Sequence, residues 1–378
     1  MDTADRLVRD LVAIDSVNPT LVPGAPGEGE IARRLVQEFE AIGLHVEVQE
    51  VAPGRPNVVA VLDGRAPGRS LMLCGHTDTV GVAGMTAPCV PVEKDGRLYG
   101  RGAHDMKSGV AAMVDAVRVV AAAGGLAAGR VVVACVVDEE HSSIGADALV
   151  TRWRADAGVV TEPTDLDVGV AHKGFEWAQI DTTGRAAHGS RPAEGIDAIL
   201  HMGRVLFALQ DLDARLQAGA RHARLGTASL HASLIEGGRE LSSYPDRCTL
   251  QLERRTLPGE PLHVLAAEVD AILGRLAAAD PAFSAHATSL FGRPPYAIDA
   301  AHPLPVALTA SARAVGCRAH TIGMSFWTDA AVLGEAGIPS VLFGPTGAGL
   351  HGVDEWVDLA SVRQCRDALA GLIRDWCR

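Results

Sequence analysis

The sequence predicts an α/β protein built in two parts, a mainly parallel sheet covered by helices and a smaller α+β unit inserted into it. Three observations carry this. Residues 1–172 alternate helical and strand-like patterns, and the strands are nearly continuous apolar runs, as in sheets buried on both faces. Between 173 and 292 the texture changes to period-two alternation in the order strand, helix, strand, strand, helix, strand, the pattern of a ferredoxin-like unit. From 293 to 378 the Ala-rich helix and apolar-strand texture returns. A chain of 378 residues is also too long for one ordinary core.

In chain order, helical periodicity near 3–14 and 28–42 precedes three strand-like runs, HVEVQEV, NVVAVLDG and SLMLCGHTDTV. A helix follows over 106–124. Then come GRVVVACVVDEE and AGVVTEP, apolar strands that end in acids. In the inserted unit FEWAQIDTTG alternates, a helix runs from about 194 to 210, LGTASLHASLIEGG and CTLQLERRTL pair as antiparallel strands, a second helix covers about 261–276, and SAHATSLFG is the last strand. VALTASARAVG and IPSVLFGPT resume the first texture.

The formal charge of -12 argues against nucleic acid or an anionic membrane surface as partner. The N-terminus lacks the basic start and apolar centre of a signal peptide. No apolar run reaches the roughly 18 residues of a membrane span. Seven cysteines without regular spacing fit reduced thiols in a cytoplasm better than a disulfide framework.

In doubly covered sheets ligands bind beyond the carboxyl ends of the strands, and the polar clusters fall there. His76 in GHTDT, Asp105 in GRGAHDMKSG, Glu140 in VVDEEHSS, Glu162 in VVTEPTD and His351 in LHGVDEW offer two imidazoles and three carboxylates. Such a set suits zinc or a similar divalent ion. Five ligands exceed what one zinc takes, and a carboxylate shared between two ions accounts for the surplus. Asp78 lies two residues beyond His76 on the same strand face, placed to accept a hydrogen bond from the second ring nitrogen. Glu139, beside Glu140, is free to act as the general base and acid of a hydrolase. Each feature alone is commonly a solvated loop or a helix-terminal charge; their joint occurrence at successive strand ends is not.

These residues resemble the dinuclear zinc amidohydrolases and metallopeptidases that include acetylornithine deacetylase, succinyl-diaminopimelate desuccinylase and carboxypeptidase G. The segments that carry the resemblance are SVNPT, GHTDTV, GRGAHDMKSG, VVDEE, TEPT, AHGSRP, ERRTLPGE, WTDAAVL and LHGVDEWV, in the family's order over nearly the whole chain. The resemblance implies a zinc aminopeptidase-like catalytic domain with an inserted lid that makes a homodimer. It implies two zinc ions, with cobalt or manganese as substitutes. Asp105 would bridge them, His76 and Glu162 completing one site and Glu140 and His351 the other. Glu139 would be the acid/base and Asp78 the residue that orients His76. His188 would reach from the partner subunit to stabilise the oxyanion, and Arg255 would hold a substrate carboxylate. Arg254 and Arg255 point to opposite sheet faces, so only one can serve.

The chain departs from its relatives at Ser242, where many have an asparagine nearby, and at Phe326 and Trp327, which replace small residues and imply a bulkier substrate pocket. The expected function is hydrolysis of the amide of an N-acyl amino acid. A di- or tripeptidase or a carboxypeptidase is the alternative within the family, and a non-catalytic metal-containing binding protein the alternative outside it.

Overall fold

The computed structural model describes residues 2–378, which form two compact units. The larger comprises residues up to Val170, Ile298–Gly323 and Thr328–Arg378, and the smaller Ala171–Ala297 with Met324–Trp327.

The larger unit is a mixed sheet clad in helices. Its strand order is His45–Ala52, Arg55–Asp63, Arg130–Val136, Ser70–His76, Gly158–Val160, Ser340–Leu342, Val168–His172. The four central strands, from Arg130–Val136 to Ser340–Leu342, run parallel, and the flanking pairs are antiparallel. Val131 to Val136 and Leu71 to His76 are buried without interruption, which is why both read as unbroken apolar runs. Alternate residues serve opposite faces. Leu71, Leu73, Val131, Val133 and Val159 share one core with the helices Thr3–Val12, Lys107–Ala122 and Leu359–Trp376. Short helices Ile144–Arg152 and Ala330–Glu335 contact the strands as well.

A second, small sheet was not legible in the pattern. Gly347–Ala348, Trp356–Asp358, Arg97–Tyr99 and Val92–Lys94 pair in that order. Leu98 is opposite Val357 and Tyr99 opposite Trp356. Strands of two or three residues carry no periodicity, yet these bring the loop before Asp105 beside the loop that carries His351.

The smaller unit is a four-stranded antiparallel sheet ordered Ser229–Gly237, Arg247–Thr256, Gly174–Thr183, Ser284–Arg293. Helices Ala198–Ala218 and Val264–Ala279 cover one face, burying Ile180, Leu250, Leu252, Met202, Val205, Val269 and Ile272. The helices begin later than their apolar patterns imply because caps decide. Asp197 accepts from Leu200 N at 2.9 Å, and Glu176 accepts from Val264 N and Leu265 N at 3.3 and 3.0 Å. The unit also extends past 292, to Ala297; Tyr296 and Ala297 pair with His172 and Ala171 as the edge of the large mixed sheet. Trp327 joins the smaller unit by packing its ring against Phe175 and His172.

Among the described residues no helix is long and apolar enough to cross a membrane. All seven cysteines are unpaired thiols.

Helix Lys107–Ala122 lies so close to the sheet that a Cβ on Gly109 would sit 1.9 Å from the carbonyl oxygen of Thr161. Gly109→Ala is therefore expected to destabilise the protein by about 3 kcal/mol. Gly274→Ala, on a helix with nothing within 4 Å of the new methyl group, is expected to raise the denaturation midpoint. Urea melts of both variants check the contrast.

Candidate metal centre

The larger unit gathers its polar strand ends in one place. His76 closes the strand Ser70–His76, Glu139 and Glu140 follow Arg130–Val136, and Glu162 follows Gly158–Val160. Asp105 stands in the turn before helix Lys107–Ala122. His351 adopts a left-handed backbone, φ 58°, in the loop between two strands of the small sheet.

Asp105 is at the centre. Its Oδ1 lies 3.1 Å from His76 Nε2, and its Oδ2 lies 3.4 Å from His351 Nε2. Glu162 Oε1 and Glu139 Oε2 are each 3.9 Å from His76 Nε2, and Glu140 Oε2 is 3.1 Å from His351 Nε2. One donor atom each from His76, Glu139 and Glu162 lie within 4.8 Å of one another, as do those of His76, Asp105 and Glu140. The buried Glu140 Oε1 and Glu162 Oε1 have no hydrogen-bond donor. Acceptors orphaned in this way, beside imidazole nitrogens and further carboxylates, fit divalent cations.

The electrostatics carry the same mark of crowding. Burial, with the charge of Glu162, pushes Glu139 well above the usual carboxyl range. Burial and the charge of Asp105 raise Glu140 to about 6. Burial also raises Glu162, against the pull of His76 and with Asp105 and Asp329 adding to the effect. Against the cost of its own burial, hydrogen bonds from His351 and His76 hold Asp105 far below the usual range. Hydrogen bonds to Asp105 and Glu140 raise His351 to about 10. Burial alone would lower His76, but the Asp105 hydrogen bond and the surrounding carboxylates hold it well above its ordinary value.

Asp78 is placed differently from the simplest reading. His76 Nδ1 faces the Asp78 carbonyl oxygen at 3.0 Å, while the nearer carboxylate oxygen is 3.6 Å away. A carbonyl only accepts, so Nδ1 carries the proton and Nε2 is left to bind a cation. The Asp78 carboxylate instead accepts from Glu139 N at 3.1 Å, Glu140 N at 3.2 Å and Asn18 Nδ2 at 2.8 Å. It orders the acidic loop directly.

Beneath that loop lies a layer that motif reasoning missed. Asn18 also donates to Asp138 Oδ1 at 3.0 Å. Arg55 Nη1 reaches the same oxygen at 2.8 Å, and its Nε and Nη2 hold Glu28 at 2.8 and 2.5 Å. Asp138, with φ 70°, accepts from Ser142 Oγ at 2.6 Å, winding residues 138–143 around itself. Asn18 lies within SVNPT, so the segment was visible and the role was not.

The smaller unit holds the other expected residues. His188 is exposed, and its Nδ1 accepts from Ser190 N at 3.2 Å. The neutral ring therefore carries its proton on Nε2, a donor open to solvent. The carbonyl oxygen of the exposed Ser242 accepts from Gly189 N at 2.7 Å, tying its loop to that of His188. Arg254 is buried against Glu260 and Glu268. Arg255, on the opposite face, pairs with Glu253 at 2.7 Å and lies over the Phe175 ring. Trp327 is buried, donating its indole N–H to the Pro294 carbonyl at 3.0 Å, and Phe326 is half-buried.

Comparison with known proteins is consistent with this arrangement. Residues 72–375 match the profile of peptidase family M20/M25/M40. The chain is 29% identical to an N-formyl-4-amino-5-aminomethyl-2-methylpyrimidine deformylase of Bacillus subtilis, over 98% of this chain and 94% of that one. It is 31% identical to an acetylornithine deacetylase of Myxococcus xanthus, over 97% of this chain and 96% of that one. A tripeptidase from Staphylococcus aureus shares the fold with a TM-score of 0.84 at 24% identity, covering 100% of this chain and 98% of that one.

The site predicts how pH acts on stability. Glu140 titrates near 6 in the folded chain against an ordinary 4.5, so the metal-free protein loses that group's contribution as pH rises from 4.5 through 6. Bound cations need the same group deprotonated. If a divalent ion such as zinc binds here, the rise in melting temperature it gives over a chelator control is expected to begin growing as pH passes through about 6, where Glu140 is released, and to go on growing above pH 7, because His351, raised to about 10, must also give up its proton. Thermal melts across that range check it.

Proposed function

The chain belongs to peptidase family M20/M25/M40, hydrolytic enzymes acting on amide bonds, and from that premise we propose that it removes the acyl group from an N-acyl amino acid or a similar small amide using two divalent ions. The observation that carries this reading is the placement of Asp105, each of whose oxygens faces a different imidazole, with further carboxylates beside both. His76 and Glu162 would hold one ion and Glu140 and His351 the other, with Asp105 shared. Zinc suits this donor set, with cobalt and manganese as substitutes. When bound, the ions supply Lewis acidity toward the amide carbonyl and acidify water.

The chain's own residues do the rest. Glu139 takes a proton from the attacking water and delivers it to the leaving amine, so water and amide become a carboxylate and a free amine. Glu139 stands beside His76, its Oε2 3.9 Å from Nε2, within reach of a water held at the same place. The Nε2–H of His188 donates to the developing oxyanion. Arg255 anchors a substrate carboxylate through its planar fork, and Ser242, Phe326 and Trp327 contribute to the substrate pocket. The unpaired thiols favour a cytoplasmic, reducing setting.

The smaller unit supports a homodimer. Ser229–Gly237 is an edge strand with Leu234 66% and Ile235 57% exposed. The neighbouring helix exposes Ile199, Leu200 and Phe207. An open apolar edge is normally covered, and a second copy of the chain is the occupant proposed. His188 then acts in its partner's site.

Release of free amine from a panel of N-acetyl and N-formyl amino acids, dipeptides and tripeptides tests the substrate class. Hydrolysis of the acyl amino acids is expected; turnover confined to peptides favours the peptidase reading. Glu139→Ala is expected to lower turnover by at least about 100-fold while zinc content, measured by elemental analysis, stays unchanged. For the dimer, Glu139→Ala and His188→Ala chains are each expected to be inactive alone, and mixed dimers of the two are expected to regain activity. Persistent inactivity of purified mixed dimers contradicts the crossing of His188 between subunits.

A further inference from the structure

Glu355 is 1% exposed and is not among the residues proposed to hold the ions. Its carboxylate is nevertheless fully used. Oε1 accepts from His104 N at 2.9 Å and Asp105 N at 3.0 Å. Oε2 accepts from Gly102 N at 2.9 Å and Arg101 Nη1 at 2.7 Å. Arg101, 3% exposed, extends the clamp, its Nη2 donating to the carbonyl oxygens of Gly81 at 3.0 Å and Gly352 at 3.1 Å.

One buried ion pair thus ties together three stretches of chain. Gly81 follows the strand end that carries His76, Arg101 to Asp105 form the turn itself, and Gly352 adjoins His351. The turn depends on left-handed backbone at Gly102, φ 76°, where a Cβ would meet the Thr79 side chain at 2.8 Å. A short turn of this kind exposes several N–H groups toward one point, and a carboxylate has acceptor sites enough for four donors. A glutamine of the same shape would turn an N–H₂ group toward donors and leave at least one of them buried and unmet.

We propose that Glu355, acting through Arg101 and the turn 101–105, is the positioning residue that sets Asp105 between His76 and His351, and so sets the affinity for divalent ions. This rests on the dinuclear reading above. The role belongs to a residue that neither binds the ions nor contacts substrate.

The test is a zinc titration of metal-free protein against a competing chromophoric chelator. Wild type, Glu355→Gln, Arg101→Lys and a core control, Leu369→Ala, are compared, with circular dichroism establishing that each is folded. Glu355→Gln is expected to bind zinc about 10–100-fold more weakly, with kcat/KM falling at limiting zinc and recovering as zinc is raised. Arg101→Lys keeps the charge but loses the fork, and shows the same kind of defect; it decides the matter if Glu355→Gln does not fold. Leu369→Ala lowers the melting temperature and leaves zinc affinity unchanged. A folded Glu355→Gln, or failing that Arg101→Lys, with affinity within about twofold of wild type overturns the proposal. So does an equal loss in Leu369→Ala, which would make the effect one of general destabilisation. Wild type that takes up no zinc overturns the dinuclear reading and this inference with it, whereas normal uptake by wild type and variants alike removes only the inference.

Discussion

Carboxylates brought together at neighbouring strand ends repel one another, and burial makes each of them costlier to ionise. Glu139, Glu140 and Glu162 are all pushed toward their protonated forms for this reason. Positive charge among them relieves such a cluster and favours the ionised forms. In the chain itself that charge comes from His76 and His351, one on each oxygen of Asp105. Divalent ions would take over this task more completely, since they bring more charge and leave both rings neutral.

A cluster under such strain needs a frame, and two buried arginine–carboxylate assemblies provide it. Arg55 with Glu28, Asp138 and Asn18 underlies the loop that carries Glu139 and Glu140. Arg101 with Glu355 underlies the turn that carries Asp105. Arg55 places its fork of donors between two carboxylates, and Arg101 between a carboxylate and two backbone carbonyls, a task for which a planar guanidinium is better shaped than an ammonium. They tie down the two segments that carry Glu139, Glu140 and Asp105.

How much of this was readable beforehand follows from the range of the forces involved. Strands 70–76 and 130–136 are buried on both faces, so their sequences had to be unbroken and apolar, and the polar residues that end them stood out. The sheet of the smaller unit has one covered face, so Leu250 and Leu252 alternate visibly with Thr249, Gln251 and Glu253. Helix starts were shifted because single capping contacts from Asp197 and Glu176 outweigh a few residues of apolar pattern. The small sheet that brings the Asp105 and His351 loops together has strands too short to show a period. Asn18, Arg55 and Asp138 meet from three distant segments, and no local pattern marks a polar residue as buried. The Asp78 carboxylate was expected at a ring nitrogen of His76, yet the backbone carbonyl stands closer and leaves the carboxylate for the N–H groups of the acidic loop.

The central claim is that Asp105 is shared by two cations. Anomalous diffraction at the zinc edge from crystals of the zinc-loaded protein tests it most directly. Two peaks are predicted, one beside His76 and Glu162 and the other beside Glu140 and His351, with Asp105 between them. A single peak, or two peaks that do not share Asp105, would contradict the account.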